Sequence, residues 1–303
     1  RHTIRMVQAN IGNFLKLDSE NSGTSSLGKV FESYNNLSRR PGKVDLIIWP
    51  ETAFPNLLDS QQLKTHPHLT PPLISQLARE LDTELLIGGY DKHPTRRKGV
   101  FETEFNTAFH FGSEGQLKNV YHKKILIPFG ETLPFGPFNQ TLSKVIPNIS
   151  FFASGENFTL FKTNKGGRFI TAICYEVLFS SFIRANLNSF QKDAHFLINL
   201  TNDSWYGDTS ELEQHLYLAK WRALEFNLPI VRMTNTGIST VLYPDGSESQ
   251  RILHNQKRSI DLTLLAPPRE KTVFQIMGTW AFVFLASFII GIQFLFYKLT
   301  TRN

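Results

Sequence analysis

Cys174 is the residue whose type and position most directly suggest chemistry. It is the only cysteine in 303 residues, and it ends the apolar run GRFITAIC, with Glu176 two positions further on. A thiol is nucleophilic as the thiolate, so a reactive cysteine needs a base or a cation nearby. The alternative is a small apolar residue in the core, because free cysteine is among the most buried residue types. This stretch alone favours that inert alternative.

Two other apolar runs carry complementary groups. Glu51 follows DLIIWP, at the carboxyl end of a predicted buried strand, where α/β sheets bind ligands. A carboxylate there can act as a general base or acid, although it can equally cap the next turn. Lys123 precedes ILIPFGE, and its ammonium group can stabilise an oxyanion that forms on an attacked carbonyl. Taken alone, two lysines before a strand are usually on the surface.

Strand-like runs alternate with helical patterns over residues 1–266. Apolar residues recur at helical spacing over 71–81 and 211–227. Strands alternating with helices indicate an α/β domain. Because no repeat or low-complexity linker divides this part of the chain, we expect a single domain over 1–266. The predicted strands lie in IRMVQA, VDLIIWP, ELLIGGY, NTAFHF, FTLFK, RFITAIC, HFLINL, PIVRM and STVLYPDG.

The last part of the chain has a different character. Residues 273–297 contain no charged residue and predict a transmembrane helix. At about 1.5 Å per residue, this segment can cross a hydrocarbon core of roughly 30 Å. Trp280 and Tyr297 are of the type that anchors at membrane interfaces. A buried core helix rarely needs so long an uncharged stretch. We expect a hinge at 267–272 and a short tail at 298–303.

Composition excludes several classes of protein. The net charge is +6 and the pI is near 9.3, but the basic residues are scattered and no nucleic-acid-binding pattern accompanies them. No nucleic-acid partner is therefore expected. A single cysteine excludes an intramolecular disulfide, and no CxxC or HExxH pattern suggests a metal, so we expect no metal and no cofactor. The start, without a methionine or signal peptide, favours a piece of a longer chain.

The candidate residues lie in motifs that resemble those of a known superfamily. WPE with Glu51, YHKKILIPFGE with Lys123 and Glu131, and CYE with Cys174 match the order and spacing of the Glu-Lys-Cys triad of the nitrilase, or carbon-nitrogen hydrolase, superfamily. Within it, these motifs and the later NLTNDSWYGDTSELEQH most closely resemble the catalytic domain of the bacterial apolipoprotein N-acyltransferase family. The resemblance runs from residue 3 to residue 264 and includes the apolar segment after it.

This resemblance implies a four-layer α-β-β-α sandwich followed by one transmembrane helix. It implies Cys174 as the nucleophile, Glu51 as the general base and Lys123 as the cation that stabilises the oxyanion. Lys123 matches rather than Lys124, because it stands eight residues before Glu131, as in the family motif.

Further site residues follow from the same resemblance. Glu131 and Glu176 match carboxylates that position the triad lysine or cysteine, and Tyr175 matches the neighbour of the nucleophile. Composition, rather than the resemblance, suggests Phe129, which lies in an aromatic, proline-rich loop that can touch acyl chains or lipid headgroups. The alternative is a core position, because several of the 26 phenylalanines must simply be core. Trp205 and Tyr206 lie in TNDSWYGD, which we interpret as a wall of the active site. The alternative for that stretch is a plain turn after a strand.

The implied activity is the transfer of a fatty acyl chain from a phospholipid, through a cysteine thioester, to the N-terminal amine of a diacylglyceryl-cysteine lipoprotein. The family places this domain on the periplasmic side of the bacterial inner membrane, and both substrates live in the bilayer. Two alternatives remain open. One is a membrane-tethered amidase that hydrolyses a small amide. The other is an inactive member that only binds lipids or lipoproteins, against which the intact triad argues.

Overall fold

A computed structural model describes residues 1–12, 24–95, 101–146, 149–205, 207–265 and 269–300, with only the backbone for 24–27, 205 and 298–300. The strands in these ranges are β1 (His2–Gln8), β2 (Leu46–Ile48), β3 (Phe54–Leu58), β4 (Glu84–Lys92), β5 (Glu104–Phe111), β6 (Leu117–His122), β7 (Phe161–Lys162), β8 (Arg168–Ile173), β9 (Phe196–Thr201), β10 (Ile230–Thr234), β11 (Thr240–Leu242) and β12 (Arg258–Leu264). The α-helices are α1 (Thr24–Ser38), α2 (Ser60–Thr65), α3 (Pro72–Leu81), α4 (Asn139–Leu142), α5 (Ser180–Asn188), α6 (Glu211–Phe226), α7 (Val273–Met277) and α8 (Trp280–Thr300). Short 3-10 helices cover Pro67–Leu69, Gly136–Phe138, Cys174–Leu178 and Asp203–Trp205.

The strands form two sheets, each of which mixes parallel and antiparallel pairs. In the described ranges, the first sheet has seven strands in the order β12-β1-β2-β4-β5-β6, with β3 paired to β4. The second has five strands in the order β11-β10-β9-β8-β7. β1, β2 and β4 are parallel in the first sheet, and β8, β9 and β10 are parallel in the second. The carboxyl ends of these parallel strands therefore share one edge in each sheet.

The two sheets pack face to face between two layers of helices. Successive side chains of β2 point to opposite faces, as the strand period requires. Leu46 and Ile48 join the core between the sheets, whereas Ile47 packs in the core under α1 and α3, which includes Leu77. On the other side, α5 and α6 cover the second sheet, with Ala219 of α6 in the core. This order of layers confirms the predicted α-β-β-α sandwich.

Most predicted elements are present, and the two predicted helices correspond to α3 and α6. The sequence does not indicate β3, β6 or β12. β6 and β12 are edge strands, which need less apolar cover than central ones, so LKNVYH and RSIDLTL lack a strong apolar pattern. β3 contains Pro55, which weakens a strand signal. β6 ends at His122, directly before Lys123, whereas the sequence suggests a strand in the apolar run after the two lysines.

The C-terminal segment consists of two helices rather than one. The five-residue α7 ends at Gly278, whose positive φ of 61° is a conformation that favours glycine. In the described part of the chain, α8 is the one helix long and apolar enough to cross a membrane, by length and composition, and its span Trp280–Tyr297 is unburied. Residues 267 and 268 of the predicted hinge and 301–303 of the predicted tail lie outside the described residues.

α7 is attached to the domain by polar contacts. Gln275 is fully buried, and its side-chain amide donates to Asn188 Oδ1 at 3.0 Å. The Arg184 guanidinium donates to the backbone oxygens of Gln275 at 2.8 Å and Ile276 at 2.6 Å. Within the predicted hinge, Thr272 Oγ1 donates to the Glu225 carbonyl at 2.5 Å. The base of α8 is therefore held against the folded domain.

Gly88 of β4 permits a close approach of the chain after β2. A Cβ atom at this position would lie 2.2 Å from Pro50 O and 2.7 Å from Glu51 Cα. Both are backbone atoms, which cannot move aside as a flexible side chain can. The position of Glu51 therefore depends on the absence of a side chain at residue 88.

We predict that Gly88→Ala lowers the free energy of unfolding by about 1–3 kcal/mol, because overpacking forces backbone shifts. Equilibrium chemical unfolding in detergent measures this change. Gly28→Ala is the matched control: it lies in α1 with no atom within 4 Å of a new Cβ. The control should stabilise the protein by about 0.5–1 kcal/mol, since alanine favours a helix over glycine. Equal effects of the two variants would contradict the prediction.

Candidate active site

Three strand ends bring the candidate residues to one edge of the sandwich. Glu51 lies beyond β2, Lys123 directly follows β6, and Cys174 directly follows β8. β6 is antiparallel to β5, which is antiparallel to β4, so β6 runs in the same direction as β4 and β2. Its end therefore lies at the same edge as theirs. All three side chains are buried.

The Lys123 ammonium group lies between two carboxylates. Its Nζ is 2.8 Å from Glu131 Oε1 and 3.4 Å from Glu51 Oε1. Burial acts to lower the pKa of Lys123, but the negative charges of Glu51 and Glu131 outweigh it, and the pKa is raised. Lys123 is therefore a permanent cation at the centre of the site.

Two asparagines that the sequence did not single out as catalytic hold Glu51 in place. Asn106 Nδ2 donates to Glu51 Oε1 at 2.7 Å and to Glu131 Oε1 at 3.3 Å. The backbone N–H of Asn202, beyond β9, donates to Glu51 Oε2 at 2.8 Å. Asn106 lies early in β5, in the unremarkable run EFNTAFHF. The one feature that could have indicated Asn106 is its position near the start of β5. Because β5 runs antiparallel to β4, it begins at the edge of the sheet where β2 ends.

Cys174 occupies a sharp turn between β8 and a 3-10 helix. Its φ is 50°, which is uncommon for a residue with a side chain. Asn199 Nδ2 donates to the carbonyl oxygen of Ala172 at 3.1 Å and reaches that of Cys174 at 3.5 Å. Burial and the charge of Glu51 raise the pKa of the thiol, while Lys123 acts to lower it. The thiol therefore keeps its proton at neutral pH until a base removes it.

Glu176 joins this turn to the end of β6. Its Oε1 accepts hydrogen bonds from Tyr121 Oη at 2.8 Å and from the backbone N–H groups of Lys124 and Ile125 at 2.6 and 3.0 Å. Its Oε2 accepts from the N–H of Ile173 at 2.7 Å. Burial raises the pKa of Glu176 to about 7, although these donors act in the opposite direction. One carboxylate thus fixes both Cys174 and Lys123 through the backbone.

A second ion pair lies behind the cysteine. Arg232 Nη2 is 2.8 Å from Asp203 Oδ2, and both side chains are fully buried. Arg232 Nη1 also donates to Asn199 Oδ1 at 3.0 Å, and Thr201 Oγ1 donates to Asp203 Oδ1 at 3.1 Å. Burial acts to raise the pKa of Asp203, but Arg232 overcomes it and the pKa falls to about 2. This network supports the β9 and β10 ends of the site.

The aromatic residues predicted at the site are less buried than the three candidate catalytic residues, where the structure describes their side chains. Phe129 is 64% exposed, in a turn with φ of 63°, and its ring packs edge-on against Phe135 at 6.3 Å between centroids. Tyr175 is half-buried and packs against Phe179. The side chain of Trp205 and all of Tyr206 lie outside the described residues.

Comparable motifs in α6 are structural. Arg222 forms an ion pair with Glu225 at 2.7 Å and donates to the Leu178 carbonyl at 2.7 Å. His215 is buried 3.4 Å from Asp203. These polar side chains of α6 therefore form contacts within the domain rather than a solvated face.

The arrangement is suited to covalent catalysis at a carbonyl group. It joins a thiol, a carboxylate that can take its proton and a fixed cation, all shielded from bulk water. Among the described residues, no three His, Cys, Asp or Glu side chains are grouped so as to hold a metal ion.

Comparison with known proteins identifies the class to which this site belongs. Residues 3–263 match the model of the family described as carbon-nitrogen hydrolase, and the chain belongs to this family. The protein is accordingly an enzyme of the carbon-nitrogen hydrolase superfamily.

Within this superfamily, the chain is similar to proteins named apolipoprotein N-acyltransferase. It is 37% identical over 255 residues to that of Bdellovibrio bacteriovorus, covering 81% of this chain and 45% of the relative. It is 33% identical over 285 residues to that of Haemophilus influenzae, covering 91% and 50%. The chain thus spans about half the length of the curated relatives it matches.

Solved structures share the fold at lower identity. One is a CN-hydrolase superfamily protein of Xanthomonas campestris with an arsenic adduct in its active site, with a TM-score of 0.60, 17% identity and coverage of 88% of this chain and 91% of that one. Another is an amidase from Nesterenkonia carrying the product of acrylamide addition at its active-site cysteine, with a TM-score of 0.57, 17% identity and coverage of 88% and 94%.

We predict that Glu176→Gln costs about 1–3 kcal/mol of stability for each donor left unpaired, because one acceptor oxygen is lost and an NH₂ group faces N–H groups. Tyr121→Phe is the matched control. It removes one hydrogen bond from the same carboxylate and should cost about 1 kcal/mol. Chemical unfolding of both variants checks the difference. A Glu176→Gln protein no less stable than Tyr121→Phe would show that the backbone contacts contribute little.

Proposed function

We propose that this chain is the catalytic domain of an apolipoprotein N-acyltransferase, in which Cys174 carries the acyl group. The observation that carries the proposal is the cation Lys123 between Glu51 and Glu131 beside the only thiol of the chain. Similarity to enzymes of that name supports the choice of substrate.

In the first step, Glu51 takes the proton of the Cys174 thiol as Sγ attacks the ester carbonyl of a phospholipid. Negative charge develops on the carbonyl oxygen, and the Lys123 ammonium group stabilises it. The carbon–oxygen bond then breaks. The lysophospholipid leaves with the proton that Glu51 returns, and the acyl chain remains on Cys174 as a thioester.

In the second step, the N-terminal amine of a diacylglyceryl-cysteine lipoprotein attacks the thioester. Glu51 takes the proton of the attacking amine, the carbon–sulfur bond breaks, and the thiolate leaves and is protonated again. Division into two steps replaces one difficult acyl transfer by two easier ones. Glu131 and Asn106 act as positioning residues, because they contact Lys123 and Glu51. Glu176 acts as a third, through the backbone N–H groups next to Lys123 and Cys174.

The proposed location is the bacterial inner membrane, with the domain on its periplasmic side. Both substrates are held in a bilayer, and α8 is long and apolar enough to cross one. The exposed Phe129, Phe135 and Phe138 lie in the segment that also carries Glu131, where they can meet acyl chains. Trp205 and Tyr206 are proposed as further substrate contacts. We also propose residues 1–266 as one domain and Trp280–Tyr297 as the membrane segment, which is shorter than the expected 273–297 because α7 is held against the domain.

The proposal predicts a covalent intermediate. After incubation of the detergent-solubilised protein with phosphatidylethanolamine, intact-mass spectrometry should detect a fatty-acyl increase that hydroxylamine removes. Cys174→Ala should show none. If the protein in its complete membrane context forms no adduct but releases ammonia from small amides, it is an amidase. If the protein neither forms the adduct nor hydrolyses small amides, it is an inactive binding protein.

Two adjacent lysines allow a matched test of the oxyanion role. Lys123→Met should slow acylation by about 10²–10³-fold, the usual cost of an oxyanion donor. Lys124→Met should acylate at the normal rate, because its Nζ donates to the Glu156 carbonyl outside the site. Rates come from the same mass measurement, with circular dichroism to verify folding. Equal rates for the folded variants would exclude the assigned role.

A further inference from the structure

The outer face of α6 carries an apolar surface that the proposed chemistry does not use. The exposed positions of this helix fall on one side. In its first turns they are Glu213 and Gln214, which are polar. Further along they are all apolar, with 41–59% of each residue exposed. We name these four residues the α6 stripe: Tyr217, Leu218, Trp221 and Leu224.

An outer helix of this fold does not have to present such a surface. α3 occupies the corresponding layer on the first sheet. After Pro72 and the 45% exposed Leu73 at its start, its exposed residues are the polar Gln76, Arg79 and Glu80. Gln76 Nε2 donates to Glu80 Oε1 at 2.6 Å, as on an ordinary solvated helix face. The α6 stripe therefore differs from α3 in extent: it has four large exposed apolar residues, whereas α3 has only Leu73.

The α6 stripe continues into the base of the apolar C-terminal helix. Phe226, at the end of α6, packs against Phe274 of α7 with 5.6 Å between ring centroids. α7 itself leaves Val273 64% and Ile276 62% exposed. α8 begins two residues after Gly278. The face of α6 thus changes from polar to apolar in the direction of the membrane-spanning candidate.

The attachment of α7 makes these surfaces one unit. Arg184 of α5 and Thr272 hold α7 against the domain. The orientation of α6 is therefore coupled to the base of α8. If α8 crosses a bilayer, the end of α6 that carries Leu224 lies close to the membrane surface.

The residue types of the stripe fit a lipid interface. Tyr and Trp are enriched where membranes meet water, because their rings combine an apolar body with a polar group. Leu218 and Leu224 supply the apolar area, and no Asp or Glu lies between positions 214 and 224 to repel anionic headgroups. A helix with these features on one face can lie in the interfacial plane.

We propose that the α6 stripe, with Val273 and Ile276, rests in the interfacial region of the bilayer that α8 crosses. The inference rests on the membrane placement in the proposed function and adds a second contact surface to it. α6 has 16 residues and follows the loop after Asp203 at the site edge. At about 1.5 Å per residue it is about 24 Å long. A helix lying on the lipid surface would hold the site edge beside the same bilayer.

Site-directed spin labelling of the full chain in phospholipid nanodiscs tests this contact. On a Cys174→Ser background, Leu218→Cys and Trp221→Cys each receive a nitroxide. Gln76→Cys on α3 is the matched control, and Phe288→Cys on α8 reports whether that helix is in the bilayer. We expect positions 218 and 221 to lose collisions with a water-soluble nickel complex while they keep collisions with oxygen. Position 76 should collide freely with the nickel complex.

Each other outcome would overturn the proposal. Nickel collisions at 218 and 221 equal to those at 76 would mean a solvated face. Loss of both kinds of collision, with dipolar broadening, would mean that a second copy covers the stripe. The same loss without broadening would mean cover by another segment of a longer chain. Collisions of the nickel complex with a label at position 288 would exclude the placement of α8 in the bilayer. Acyl transfer is measured separately, on protein that retains Cys174, so that the proposed chemistry and the proposed membrane contact can fail independently.

Discussion

A buried ammonium group held between two carboxylates is the interaction on which the rest of this structure depends. An unpaired buried charge costs several kcal/mol, so Lys123 can be fully buried only if Glu51 and Glu131 are brought to it. This requirement fixes the ends of β2 and β6 at one edge of the sheet. It also explains the supporting contacts, because Asn106 holds both carboxylates by one amide group.

The same logic governs the cysteine. The backbone of Cys174 adopts a conformation that side chains disfavour, and such a turn persists where surrounding contacts over-determine it. Glu176 supplies those contacts, since its carboxylate accepts hydrogen bonds from the backbone on both sides of the site. The raised pKa of the thiol follows from the burial that this packing imposes. The same packing therefore holds Cys174 rigidly and makes its thiol depend on a neighbouring base for loss of the proton.

The outer faces of the two helical layers show how the domain is oriented relative to its apolar C-terminal helix. These faces differ: α3 is polar after Leu73, whereas α6 is apolar along much of its length. The apolar surface adjoins the helices that lead to Trp280–Tyr297, so the asymmetry of the domain is aligned with its apolar segment. The membrane-spanning candidate and the reactive edge are joined by packed helices.

The sequence alone determined the fold class, the apolar C-terminal segment and the motif residues around Glu51, Lys123 and Cys174, because periodicity and motif spacing are local properties. The edge strands β6 and β12 gave little signal, since one of their sides needs no partner strand. Only the tertiary structure revealed Asn106 and the backbone contacts of Glu176. These depend on which strand ends meet across the sheets, and a hydrogen bond between residues 55 positions apart leaves no local pattern.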